Sequence, residues 1–343
     1  KDVYENGTSG TIDASSVHTI SGTGTTITNA NAVYASGRFT GLGSENVTIT
    51  DTGSSGDGNG AVVADLNTLN GYTTGNVDAS AISFIEGTIA ALNTAYGSAS
   101  ALGNGISGLG NETVTIDDTS SIDVSTLNTL NDYTTGNIVA TTATSFTGTV
   151  SDLNTLYAAA TSSGNGVSGL GSEAVTVTDT SVSASALNTL NTKTDYNITV
   201  NATAISGSLS DVSTLYGNKA GNSNASTDGF TGLGNEAITV TDTGSVAAST
   251  LTTIATANSS GSLDVSAAGT ITGTAAEIIA SFADSTITEA SDVALTVNTS
   301  NSGTASLTQA RSLDALTTGV VTATIADTLV SDLLGSTPLL DAN

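Results

Sequence analysis

Apolar and polar residues alternate in short runs that return along the chain. Between Glu173 and Asp179, the two-residue period puts Val175 and Val177 on one face and Ala174, Thr176 and Thr178 on the other, which predicts a strand with its valines inward. The run recurs as SENVTITDT at 44–52, NETVTIDDT at 111–119, SEAVTVTDT at 172–180 and NEAITVTDT at 235–243. Each copy follows a Gly-Leu-Gly that starts at Gly41, Gly108, Gly169 or Gly232, at spacings of 67, 61 and 63 residues. A second short strand follows (SVSAS, AISGS), then a Leu-spaced segment such as SALNTLN, SDLNTLY or SDVSTLY. There, apolar residues recur at three- and four-residue spacing behind a Ser or Asp, as in Ser151, Leu153, Leu156 and Tyr157. That spacing predicts a capped helical turn or two, too short to stand alone.

VTVTDTSVSASALNTLN at 175–191 is echoed by NITVNATAISGSLSDVSTLY at 197–216, so the elementary unit is half the long repeat. About eleven units of roughly thirty residues fit the chain. The copies are clear from the long repeats beginning near 41, 108, 169 and 232, and degenerate at 1–40 and 258–343. Stretches rich in Gly, Ser and Asn before the Gly-Leu-Gly (GSASALGNGIS, AAATSSGNGVS, GNKAGNSNASTDGFT) read as inserted loops. Because such a unit cannot bury its apolar face alone, successive units must stack. The expectation is one continuous domain over 1–343. Its expected fold class is mainly β, a solenoid of stacked coils with two short strands and a short helical turn each. The apolar C-terminal region VVTATIADTLVSDLLGSTPLL carries no polar cap. The ends are therefore expected to meet further chain or another subunit.

Composition narrows the function. Five Lys and Arg against 31 Asp and Glu give the 343 residues a formal net charge of −26. The basic residues Lys1, Arg38, Lys193, Lys219 and Arg311 are scattered, which excludes the clustered cations that nucleic acid requires. An anionic membrane surface is disfavoured for the same reason. Without Cys there are no disulfides, thiolate metal sites or Cys nucleophiles, and a single His18 argues against His-based catalysis. No run approaches the roughly 18 apolar residues of a membrane span. Without Met, the chain is expected to be a matured product or a piece of something larger. Aromatic residues are only 4% of the chain, which suits a thin core and offers few sugar platforms for a polysaccharide-acting enzyme.

The recurrent acidic residues are the candidate chemistry. Glu45 with Asp51, Glu112 with Asp118, Glu173 with Asp179 and Glu236 with Asp242 stand six apart in each long repeat. Six residues of strand span about 20 Å, so a pair cannot act as acid and base on one substrate. One reading is turn bracing, with Asp accepting from turn amides and Glu doing similar work at the preceding corner. The other is calcium, held by these eight carboxylates at repeated corners. The loop GSSGDGNG at 53–60, with Asp57, is a further calcium candidate. The glycines of Gly-Leu-Gly fit a turn with positive φ and are no phosphate loop. His18 reads as an ordinary surface position. Tyr96, Tyr157 and Tyr216, like Tyr72, Tyr133 and Tyr196, read as corner filler with hydroxyls in water, the alternative being a Tyr ladder. Outward Thr pairs such as Thr176 and Thr178 suggest an ice-binding array, interrupted where the intervening half-units carry only Thr199 or none.

VTVTDTSVSASALNTLN, SGTIDASSV, ISGSLSDVSTLY and ITGTAAEIIASF resemble repeats of very large secreted surface proteins of marine cyanobacteria, a group labelled hemolysin-type or calcium-binding. GTAAEI and SDLNTL also look like repeats of cyanophage tail fibres. The resemblance implies a non-enzymatic extracellular or cell-surface protein, self-associating into a filament, surface layer or giant surface protein. Calcium is then the candidate cofactor, and none is required for the repeats themselves. The alternative it implies is a calcium-dependent adhesin or tail-fibre module that binds a cell-surface glycan or receptor. The acidic surface suits high-salt water, where screening weakens self-repulsion, and association should depend on salt.

Overall fold

The computed structural model describes residues 10–21, 26–50, 52, 61–98, 104–161, 164–219, 229–298 and 303–326. Among them stand ten helices: α1 (Ile27–Ala35), α2 (Val63–Tyr72), α3 (Ile89–Gly97), α4 (Val124–Tyr133), α5 (Val150–Ala158), α6 (Ala184–Asn191), α7 (Leu209–Gly217), α8 (Ala248–Asn258), α9 (Ala275–Ala283) and α10 (Leu307–Asp314). Strands of two to four residues separate them.

The mainly β solenoid expected from the sequence is not what forms. Helix takes about 32% and strand about 29% of the described residues, and strands alternate with helices, so the fold is α/β. Two physical reasons account for the difference. The Leu-spaced segments grow to helices of 8 to 11 residues because each buries an apolar stripe, as Leu66 and Leu69 or Leu127 and Leu130 do at zero exposure. The strands stay short because the chain turns after every inward pair. The helices also start earlier than the Ser-Asp pattern suggested. In α7 the cap is Ser208, whose hydroxyl accepts from the Asp211 amide, so Ser210 and Asp211 lie inside the first turn.

The chain divides into two compact units, residues 1–148 with 152–174, and 149–151 with 175–343. In the first, the largest sheet joins Ala61–Val62, Phe84–Gly87, Thr113–Ile116, Asn137–Val139 and Gly166–Ser168, all parallel. Each strand pairs with the second strand after it in the chain. The register lines up Ala61, Ile85, Val114, Ile138 and Val167 as one inward column, none more than 2% exposed. A four-stranded sheet (Thr19–Ile20, Asn46–Thr48, Asn76–Asp78, Gly105–Ser107), the pair Ile12–Asp13 with Phe39–Thr40, and the strands Ser121–Asp123 and Ser145–Gly148 of a further parallel sheet complete this unit.

The second unit repeats the plan. Its five-stranded sheet is Ser181–Ser183, Ala204–Gly207, Ala237–Val240, Ser262–Asp264 and Ile287–Thr288. A four-stranded sheet is Ser245–Ala247, Thr270–Gly273, Ala294–Val297 and Val321–Thr322, and Thr304–Ala305 pairs with Thr324–Ile325. Val175 and Val177 point inward as alternation predicts.

Helices leave the sheets two at a time. In the first unit α2 and α3 follow neighbouring strands of the large sheet, and α4 follows the first strand of another. In the second, α6 and α7 follow one sheet and α8 and α9 the next. Packed helices need about 8–10 Å between axes whereas paired strands need about 4.8 Å. Passing each new helix pair to the next sheet supplies the missing lateral room.

Candidate functional site

The four Gly-Leu-Gly corners hold the recurrent glutamates, so their geometry decides what those carboxylates can do. At each corner both glycines have positive φ, 85° and 135° at Gly41 and Gly43 and 88° and 137° at Gly108 and Gly110. That bend aims the second glycine's amide at the side chain two residues on. Gly43 donates to Glu45 at 2.8 Å, Gly110 to Glu112 at 2.9 Å, Gly171 to Glu173 at 2.8 Å and Gly234 to Glu236 at 2.9 Å. All four glutamates are at most 1% exposed.

A tyrosine hydroxyl closes each carboxylate from the other side. Tyr34 donates to Glu45 at 2.9 Å, Tyr96 to Glu112 at 2.7 Å, Tyr157 to Glu173 at 3.3 Å and Tyr216 to Glu236. The reading of Tyr96, Tyr157 and Tyr216 as filler with a wet hydroxyl is thereby corrected, since each ring sits at 4% exposure or less. Burial first, and the neighbouring glutamate after it, hold the Tyr34, Tyr96 and Tyr216 hydroxyls protonated far above the usual tyrosine range. At Glu45 burial opposes the charge, but hydrogen bonds from Gly43, from Ser44 and its own backbone and from Tyr34 outweigh it, and the carboxyl falls below its ordinary value. Tyr72, Tyr133 and Tyr196 remain exposed. Tyr72 stacks on Tyr34 at 5.4 Å between centroids and Tyr133 on Tyr96 at 6.4 Å, so within the first unit the rings meet in pairs.

A third element clamps the corner from the following turn. Thr73 donates its hydroxyl to the Glu45 carbonyl, Thr74 donates backbone and side chain to the Gly43 carbonyl, and Gly75 donates to the Thr73 hydroxyl. A Cβ at Gly75 would lie 2.2 Å from the Glu45 carbonyl oxygen, so only glycine fits. The Thr-Thr-Gly run at 134–136 makes matching contacts to the Gly110 carbonyl.

The aspartates stand at the other end of each strand and do different work. Asp118 accepts from the Ile89 amide at 2.8 Å, Asp179 from Val150 at 2.7 Å and Asp242 from Leu209 at 2.6 Å. Each amide opens a helix 29 to 33 residues earlier, so the aspartate fills an orphan donor of the preceding turn's helix and sits well on its dipole. Asp51 and Asp57 lie outside the described residues. The structure therefore brings no Glu together with the Asp six residues on, and gives each described carboxylate of the set a protein donor. Among the described residues no three His, Cys, Asp or Glu side chains come together to hold a metal ion. His18 is exposed, its ring 2.8 Å from the Ser16 carbonyl. An open groove in the first unit, beside Asn131, Thr134, Thr135 and Ala158–Thr161, is lined by neutral side chains.

Two features escaped the sequence reading. The Asn of the recurring Leu-Asn-Thr donates across to the next helix: Asn67 to the Ala91 carbonyl, Asn93 to Thr126, Asn128 to Asp152 and, in the second unit, Asn188 to Asp211, and Asn31 of Ala-Asn-Ala does the same to Asp65, all at 2.8 to 3.0 Å. The recurrence of Asn between buried leucines was the available signal. The second is Thr-Thr-Gly, which recurs at 73–75, 134–136 and 317–319. In the outward face of the second unit, Thr176, Thr199 and Thr231 line up in register, a single file with one Thr per strand.

The degenerate coils after the fourth long repeat hold a fifth corner, at 287–319, and this fifth repeat replaces the corner groups as a set. Thr317 donates to the Val293 carbonyl as Thr73 does to that of Glu45, which places Val293 where the others have Glu. Phe282, eighth in α9, stands where Tyr216 is eighth in α7. Carboxylate and hydroxyl are lost together, leaving an apolar pair.

Compared with known proteins, the chain matches no family model, no curated protein and no solved structure. No helix among the described residues is long and apolar enough to cross a membrane.

Proposed function

We propose that the protein is a non-enzymatic, extracellular structural protein, the building block of a filament or surface layer that assembles through end contacts of its repeats. The observation that carries this reading is that the first and last described strands, like the terminal strands of the other sheets, are one-sided, and that apolar side chains are exposed beside them. In the described residues Ile12–Asp13 and Thr19–Ile20 have a strand partner on one side only, and so have Val321–Thr322 and Thr324–Ile325. Every pair is parallel and joins a strand to one later in the chain, so a second copy set head to tail extends both edges by the same rule. Such a contact is heterologous and does not close, which yields filaments. Apolar side chains stand beside both edges, Val17 at 38% and Val320 at 71% exposure. The bracing work found for the repeated carboxylates supports a scaffold, and the resemblance of the repeats to secreted surface proteins supports the extracellular setting.

Electron microscopy of the chain at seawater ionic strength, with millimolar calcium and after chelation, tests the proposal. Filaments or sheets under both conditions are expected. Isolated particles throughout would overturn it in favour of a receptor-binding module, and assembly lost on chelation would assign calcium a role at the interface.

A further inference from the structure

One half-buried titratable group lies outside the corner machinery. Ile198 pairs with Phe230 and Thr199 with Thr231, so Val200 faces Gly232, the first glycine of its corner. A Cβ on Gly232 would come within 2.3 Å of the Val200 carbonyl. In the fifth repeat Leu263 pairs with Ile287 and Asp264 with Thr288, which sets Glu289 opposite Val265 in the place of that glycine. Alternation turns Ile287 and Glu289 to the inner face and leaves Thr288 exposed. Glu289 Oε1 is buried and has no hydrogen-bond partner. No Tyr hydroxyl replaces the lost donor, because Phe282 stands at that position.

The elements that pack most closely on this strand are Ser262–Asp264 and α9. Their charged groups are anionic and otherwise engaged. Asp264 accepts from Ser266, Glu277 accepts from Thr274 in the α9 capping box, and Asp284, at the end of α9, accepts from Thr286. The buried residues of α9 are Ala275, Ile278 and Ser281, and those of the facing strand are Leu263 and Val265, so none offers Glu289 a cation.

We propose that Glu289 makes the fifth repeat a pH-sensitive joint, closed when the carboxyl is protonated and opening between Ile287 and Asn298 when it ionises. A carboxylate oxygen buried without a partner is costly in the anion and tolerable in the neutral acid. Burial pushes this carboxyl up to about 7, against a hydrogen bond from its own backbone amide, and the Asp284 charge adds to the rise. The folded chain thus holds a proton that the unfolded chain has already lost. The stabilisation is complete below the ordinary value of 4.5 and is lost as the pH rises through about 7.

Hydrogen exchange on the full chain, expressed as protection factors at pH 5.5 and 8.5, reads the joint. Protection at 287–298 is expected to fall about tenfold or more at the higher pH in the wild type, to stay constant in Glu289→Gln, and to stay constant at 113–116 in both. Equal protection at both pH values in the wild type, or the same fall in Glu289→Gln, would overturn the proposal. Should the Gln variant not fold, a carbon-13 NMR titration of the wild-type Glu289 carboxyl replaces it: a midpoint near 7 supports the joint and one near 4.5 removes it.

Discussion

The Tyr96 hydroxyl reaches Glu112 Oε2 at 2.7 Å from sixteen residues earlier in the chain, and the fifth repeat carries Phe282 and Val293 at the two corresponding positions. The protein thus contains its own double replacement, and a cycle at the second repeat should reproduce it. Glu112→Val alone strands the Gly110 amide and the Tyr96 hydroxyl, at about 1–3 kcal/mol for each buried unpaired group. Tyr96→Phe alone removes one bond to a charged acceptor, at about 1.5–3 kcal/mol. The double variant should cost less than the sum, with a coupling of about 0.5–3 kcal/mol read from denaturant midpoints. Strict additivity would mean that the pair is incidental.

Glu45 and Glu289 should respond to pH with opposite signs. The Glu45 carboxyl lies below its ordinary value of 4.5, so its stabilisation is present above that value and is lost as the pH falls through the folded-state value. Melting temperature followed from pH 6 to 3 should drop more steeply in the wild type than in Glu45→Gln, which has no proton to gain. Parallel curves would remove Glu45 from the acid transition.

The capping aspartates give a test that separates bracing from metal binding. Asp118→Ala and Asp242→Ala each leave a helix-opening amide unpaired, at Ile89 and Leu209, for a cost of about 0.5–2 kcal/mol. The same loss is expected with millimolar calcium and with chelator. A loss that appears only when calcium is present would assign these carboxylates to an ion.

Two glycines of the first unit should behave oppositely. Gly71 lies inside α2 with nothing within 4 Å of a built Cβ, so Gly71→Ala should stabilise by about 0.5–1 kcal/mol. Gly136 has the Glu112 carbonyl oxygen 1.8 Å from that position. Gly136→Ala should therefore destabilise by about 1–3 kcal/mol or more, because backbone rather than a flexible side chain must move. Thermal melts of the two variants on either side of the wild type are the expected result.

The period, the inward valines and the corner glycines were legible because each depends on local alternation or on one residue type at a fixed place. The balance of helix and strand was not. SALNTLN supplies barely two turns of intrinsic helix, and the further residues of α6 and its neighbours come from burial of Leu187 and Leu190 against other elements, which no single window contains. The acidic residues were legible as turn braces but not in their assignment. Asp118 serves a helix 29 residues earlier, and Glu112 meets a tyrosine from the preceding turn. Such contacts are fixed by the stacking register, and spacing within a repeat does not encode them. The role of Asn93 is not legible in its own segment, because one Leu-Asn-Thr carries no local sign that the amide faces a neighbouring helix; only the recurrence of the motif marks it.

Val320 offers the sharpest test of assembly, because its side chain contributes little to the fold and stands beside a strand that has a partner on one side only among the described residues. With a net charge of −26, copies repel at low ionic strength, and edge pairing should appear only when the Debye length is short, about 3–5 Å near molar salt. Sedimentation velocity across a salt series should show larger species growing with ionic strength in the wild type. Val320→Glu adds a charge at the contact and removes apolar area, so it should shift the onset to higher salt or abolish it while the folding stability stays within about 0.5 kcal/mol of wild type. Charge at a surface away from the interface would instead act only through the total. Ala64→Glu, at an exposed residue within α2 and on no strand, supplies that control and should leave the onset near its wild-type position. Equal shifts in the two variants would indicate that net charge alone sets association and that the open edges are not the contact.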